Sequence, residues 1–171
     1  KDLKGALKAV ESLKKERDIN LLLIGGRENE ELYPLVREAD VIHLGVLKRE
    51  KVIKYLAASD VYLHNFTNPE HHFFAGLGSA TTEALIGGTP VVSTQMVNIL
   101  GKKIKNNIGT DTRDFKKLED AIAHTLEKDY NPEIMWRIAK ILFDSERIVS
   151  HHLNLYNFLE TKYGTKGDYE N

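Results

Sequence analysis

Ala75-Gly-Leu-Gly-Ser-Ala-Thr-Thr-Glu83-Ala-Leu-Ile-Gly-Gly-Thr-Pro-Val-Val92 is the stretch on which the fold turns. Gly76 and Gly78 let the backbone turn tightly and approach a ligand closely. Ser79 reads as the N-cap of a helix over residues 79–87. A helix N-terminus presents unpaired amides and a partial positive charge, which suits a diphosphate. Glu83 falls about one turn inside that helix, where its carboxylate can accept hydrogen bonds from two ribose hydroxyls. Gly87-Gly88-Thr89-Pro90 then closes the helix and opens a strand over residues 90–93. A bare glycine pair would be no more than an ordinary turn between strand and helix; the whole string carries the reading.

Outward from this segment the same alternation repeats. Ala6, Leu7, Val10 and Leu13 recur at helical spacing and predict an amphipathic helix over residues 3–16. The apolar run over residues 20–24, closed by Gly25-Gly26, reads as a strand buried on both faces. Helices over 29–38 and 49–58 and strands over 41–44 and 61–63 follow. Strands alternating with helices predict an open, Rossmann-like parallel α/β sheet flanked by helices. In the C-terminal third, Phe115, Leu118, Ile122 and Leu126 mark one helix. Pro132 starts another running towards residue 146, and Val149, Leu153, Tyr156, Leu159 and Tyr163 mark a third. Residues 1–163 are read as one domain and 164–171 as a polar tail. Because an open α/β domain ordinarily begins on a central strand, a first strand is expected upstream of Lys1.

Composition narrows the function classes. The 171 residues carry 24 Lys and Arg against 25 Asp and Glu, a net charge of −1 without the basic surplus of a nucleic-acid binder. With no cysteine, disulfide scaffolds and thiolate zinc sites are excluded. The longest apolar runs are too short to span a bilayer, and the N-terminal residues show no signal-peptide pattern. A cytoplasmic protein, with a membrane-surface location held open, is the expectation.

The central string resembles the signature segment of retaining group-1 glycosyltransferases with the two-domain GT-B fold. Their usual form is Glu-x-x-Gly-x-x-x-x-Glu-Ala followed by small-Gly-x-Pro-Val-Val. Ala57-Ala-Ser-Asp60-Val-Tyr-Leu63 resembles the family's Ala-x-x-Asp-Val-hydrophobic strand, and Leu44-Gly45-Val46-Leu47 its loop beside the base. Lys1-Asp-Leu-Lys4-Gly5 resembles the Lys-Gly that opens its first helix, and residues 143–156 its terminal helix. The resemblance implies the C-terminal, donor-binding half of such an enzyme. Glu83 would hold the ribose. The amides of Gly76, Leu77, Gly78, Ser79 and Ala80, with Lys4 as the catalytic cation, would hold the diphosphate. Gly45, Val46 and Leu47 would flank the base. The partners so implied are a nucleotide-sugar donor and an N-terminal acceptor domain. The isolated domain is expected to be inactive. One position departs: the family's second acidic residue, eight before Glu83 and near the donor sugar, is Ala75 here. Glu70, in the long loop before it, is a weak candidate to substitute, and the Arg that normally accompanies the Lys would lie upstream of Lys1.

Other patterns carry less. Gly76-Leu-Gly78-Ser-Ala-Thr81 falls short of a dinucleotide fingerprint, because its third glycine is Thr81 and Asn98 and Ile99 stand where an acidic residue belongs. There is no P-loop string. His71-His72 and His151-His152 are adjacent pairs whose side chains diverge, and no Asp-x-Asp is present. No metal is therefore expected at the diphosphate, where amides and cations would serve instead. Lys102-Lys-Ile-Lys105 is a short basic cluster that suits solvent or, given lipid-linked acceptors in the family, anionic headgroups. The rival reading is a non-catalytic nucleotide-binding or regulatory module of the same fold, which Ala75 favours.

Overall fold

The computed structural model describes residues 2–26, 33–38, 40–64, 78–93, 104 and 106–164. The chain runs α1 (Leu3–Lys14), β1 (Leu22–Leu23), α2 (Tyr33–Glu38), β2 (Ile42–His43), α3 (Arg49–Ala57), β3 (Tyr62–His64), α4 (Gly78–Ile86), β4 (Val91–Ser93), β5 (Gly109–Asp111), a 3-10 turn (Thr112–Asp114), α5 (Leu118–Glu127), α6 (Pro132–Phe143) and α7 (Ser145–Tyr163). Every strand pair is parallel, as alternation with helices requires.

The layers follow from one dipeptide. Val91 and Val92 of β4 point to opposite faces of the sheet and both are fully buried. Val91 packs with Leu56, Leu85, Ile108 and Met135, which brings α3, α4 and α6 onto one face. Val92 packs with Ala9, Leu13, Ala121 and Ile122, which brings α1 and α5 onto the other. Each valine contributes about 1.5–3 kcal/mol through burial.

Where helices carry polar start signals, the expected ends hold. Asp2 accepts from the Gly5 amide at 2.8 Å, and Asn131 accepts from the amides of Glu133 and Ile134 at 2.9 and 3.1 Å just before Pro132. Asp144 cuts the stretch expected from Pro132 towards residue 146 short: α6 ends at Phe143, and the Asp144 carboxylate instead accepts from the Arg147 amide at 3.0 Å to begin α7.

Three expectations are corrected. The sheet is not one hydrogen-bonded unit. Among the described residues β1 pairs with β2 alone, while β3, β4 and β5 form a second sheet in that order. β1 is half-buried rather than buried on both faces, because a cleft of about 890 Å³ opens between it and β3, with Leu22, Leu23, Tyr62 and Leu63 among its walls. β5, unforeseen in the sequence, joins the sheet because Gly109-Thr-Asp111 is buried between β4 and α5 rather than because it is apolar.

Candidate active site

Helix α4 is held at both ends by backbone devices. At its C-terminus the Thr89 amide donates to the Ala84 carbonyl at 2.9 Å and the Gly88 amide to Leu85 at 3.2 Å. With Gly88 at φ +83°, this is a Schellman motif. The Thr89 hydroxyl donates to the Leu56 carbonyl at 2.5 Å and ties the turn to α3. At its N-terminus α4 begins on Gly78, at φ +70°. Ser79 therefore lies in the first turn instead of capping it, because glycine alone takes that backbone conformation without strain.

Glu83 is not a solvated carboxylate. Its side chain is 15% exposed, and Oε1 accepts from Arg49 Nε at 2.9 Å and lies 2.7 Å from Arg49 NH2. Oε2 takes no hydrogen bond among the described residues. Arg49 is the first residue of α3, two positions after Leu47. One ion pair thus couples the acid expected at a ribose to the loop expected at a base. Sequence reasoning missed Arg49, since a lone cation at a helix start gives no signal of its partner.

The loop itself is set by Gly45 at φ +61°, whose carbonyl accepts from the Gly25 amide at 2.7 Å. That bond joins the turns after β1 and β2. Val46 and Leu47 line the cleft together with Leu3 of α1 and Ala80 of α4. Val46 is 76% exposed there, an apolar side chain offered to solvent. Lys4, Gly45, Gly78, Ser79 and Glu83 stand outside the cleft lining. Lys4 is exposed beside Leu3 and makes no ion pair among the described residues. Ala75, Gly76, Leu77, Glu70 and the lysines of the basic cluster lie outside the described residues. Among those described, no three His, Asp or Glu side chains cluster in a way that could hold a metal, and no helix is long and apolar enough to cross a membrane.

A second set of residues escaped the sequence reading. The last residues of three neighbouring parallel strands, His64, Ser93 and Asp111, stand in register and are 3%, 0% and 0% exposed. His64 Nδ1 lies 3.2 Å from Ser93 Oγ. Asp111 accepts from Arg113 Nε at 2.9 Å and NH2 at 2.7 Å, and this hydrogen bonding raises the guanidinium's pKa against the opposing effect of burial. Burial likewise raises the pKa of the Tyr130 hydroxyl, while its hydrogen bonds with Thr110 and Thr125 pull the other way. Burying polar groups costs energy unless they are partnered. A polar row at the carboxyl edge of a parallel sheet lies where open α/β proteins bind ligands.

Parallel strands with helices on both faces are the architecture of one half of a GT-B fold. The crystal structure of AviGT4, a glycosyltransferase involved in avilamycin A biosynthesis, superposes on 95% of this chain with a TM-score of 0.67 at 21% sequence identity. This chain spans 49% of the AviGT4 chain. No curated protein matches it. The family model for glycosyl transferases group 1 matches residues 1–140, and the chain belongs to that family.

Proposed function

We propose that this chain is the donor-binding half of a retaining glycosyltransferase that takes a sugar from a nucleotide diphosphate. The observation that carries the reading is the Glu83–Arg49 pair, which holds a largely buried carboxylate with one oxygen open beside the 45–47 loop. A nucleoside needs these two features together: a carboxylate for the ribose hydroxyls and a surface for the base. Val46 and Leu47 supply that surface, the start of α4 faces the diphosphate, and Lys4 completes it as a cation. The acceptor and the residues that activate it belong to an N-terminal half, which AviGT4's greater length makes room for. No metal is assigned to the diphosphate. A cytoplasmic site of action, with contact to a membrane surface through Lys102 to Lys105, completes the proposal.

The test is a thermal-shift and calorimetric panel of nucleosides, nucleoside diphosphates and nucleotide sugars on this chain. Saturable binding of one base series, unchanged by EDTA, is the expected outcome. Absence of binding across the panel, or binding that vanishes with EDTA, would count against it. A non-catalytic nucleotide module remains the second reading, favoured by Ala75 at the family's acidic position. It predicts binding of nucleotides without turnover of any nucleotide sugar, even in the full-length protein.

A further inference from the structure

We infer that the cleft between β1 and β3 is a strand-acceptor site: an extended apolar segment that directly precedes Lys1 in the full-length protein inserts there, parallel to both strands, and joins the two sheets into one. The inserted strand leaves the 45–47 loop, beyond the end of β2, open to a nucleotide, so this inference and the donor-site reading stand or fall separately.

The backbone on both walls of the cleft calls for such an occupant. The Ile42 and Leu44 amides donate to the Leu21 and Leu23 carbonyls at 2.9 and 3.0 Å, so β1 turns those peptide groups towards β2. Leu22 and Ile24 alternate with them and direct their own N–H and C=O groups towards the cleft. On the far wall the Tyr62 amide donates to the Pro90 carbonyl at 2.9 Å, which turns Val61 and Leu63 towards the cleft in the same way. All four residues line it, and among the described residues no strand pairs with either edge. Backbone polar groups facing apolar surroundings cost energy until they are paired. The side chains agree. Ala6, Val10 and Ile122 line the cleft from the face covered by α1 and α5, and Val52 and Leu56 from the face covered by α3. Apolar side chains above and below, with peptide groups at both edges, are the surroundings of an interior strand of a parallel sheet. A ring or an acyl chain matches the side chains but leaves the peptide groups unpaired.

The choice of segment follows from α1. Asp2 and Leu3, at its start, line the cleft together with Gly25 and Gly26, which follow the carboxyl end of β1. A strand running through the cleft parallel to β1 ends at that point and passes directly into α1, and α1 leads back to β1. The three then form a βαβ unit, whose strands are parallel and whose consecutive elements are neighbours in space. β2 holds the other edge of β1, so the cleft edge is the one such a strand uses. The resulting order is β2, β1, inserted strand, β3, β4, β5. Covered on both faces, the inserted segment reads as a continuous apolar run rather than an alternating one. An ordinary strand of about five residues, about 17 Å long, meets the requirement.

The experiment is amide hydrogen exchange and nuclear Overhauser spectroscopy on the full-length protein, read residue by residue. The amides of Leu22, Ile24, Val61 and Leu63, and alternate amides of the segment preceding Lys1, are expected to exchange at least about a hundredfold more slowly than an unstructured peptide. Overhauser contacts are expected from that segment to Leu22 on one wall and to Leu63 on the other. Fast exchange at the four cleft-facing amides would overturn the assignment, because the edges would then be unpaired. Slow exchange there, with the preceding segment exchanging as an unstructured peptide, would overturn it too, since β1 and β3 would then pair directly or with another part of the protein. A protected segment in contact with neither wall would place that segment elsewhere and remove the inference.

Discussion

Glu83 and Arg49 divide the work of one contact unequally. Arg49's side chain is 75% exposed, so water screens its half of the ion pair and the pair adds little to stability. Glu83 is largely shielded, and a ribose bound to it would gain charge-assisted hydrogen bonds away from bulk solvent. Glu83→Ala is therefore expected to weaken a nucleoside diphosphate by about 1–3 kcal/mol. Arg49→Ala, which leaves the carboxylate in place but free to swing, is expected to cost less than about 1 kcal/mol. Isothermal titration of both variants decides. A larger loss in Arg49→Ala than in Glu83→Ala would mean that the cation, not the acid, meets the ligand.

Among the elements, the Gly87-Gly88 pair shows how a signature can be structural before it is functional. A Cβ on Gly87 would stand 3.2 Å from Ala57 Cβ, and one on Gly88 3.0 Å from Pro132 Cβ at a backbone φ of +83°. Gly88→Ala is expected to destabilise the chain by about 1–3 kcal/mol through backbone strain alone, read as a lower denaturation midpoint with an unchanged slope. A midpoint equal to the parent's would show that the turn relaxes freely. The same contrast explains what could be read from residues alone. Helices with polar caps and apolar stripes, such as Asn131-Pro132 or Ala6 to Leu13, announce themselves locally. β5 does not, because Gly109-Thr-Asp111 has no apolar pattern and its burial is imposed by neighbours distant in sequence. The candidate site was half legible for the same reason. Glu83 and the 45–47 loop sit in recognisable strings, whereas Arg49, His64 and Ser93 acquire meaning only when separate strands and helices bring their side chains together.

For the molecule as a whole, the cleft decides what chemistry can be expected. Apolar side chains such as Leu22, Leu23, Val46, Leu47 and Leu63 line most of it, and where it reaches Val46 and Leu47 that surface is suited to a flat ring. Transfer further requires an acceptor hydroxyl held against the donor carbon to within a fraction of an ångström. It also requires exclusion of water, since charge contacts to a departing phosphate weaken in high dielectric. The 171-residue chain alone is expected to bind donor without acceptor-dependent transfer. A radiolabelled assay with this chain and with the full-length protein tests it. Robust turnover by the chain alone would show that the second half is dispensable.

Asp144 does two jobs, and mechanics follow from that. It terminates α6 and, by its carboxylate, begins α7, with no intervening loop to absorb motion. None of the 19 residues of α7 is buried. At 1.5 Å per residue, α7 is a rod about 28 Å long fixed at one end. A turn of about 10° at that single joint sweeps its far tip through about 5 Å, and its apolar stripe from Val149 to Tyr163 travels with it. Length gives the joint leverage: any change of torsion at that one aspartate would be multiplied along the helix into a displacement as large as a side chain.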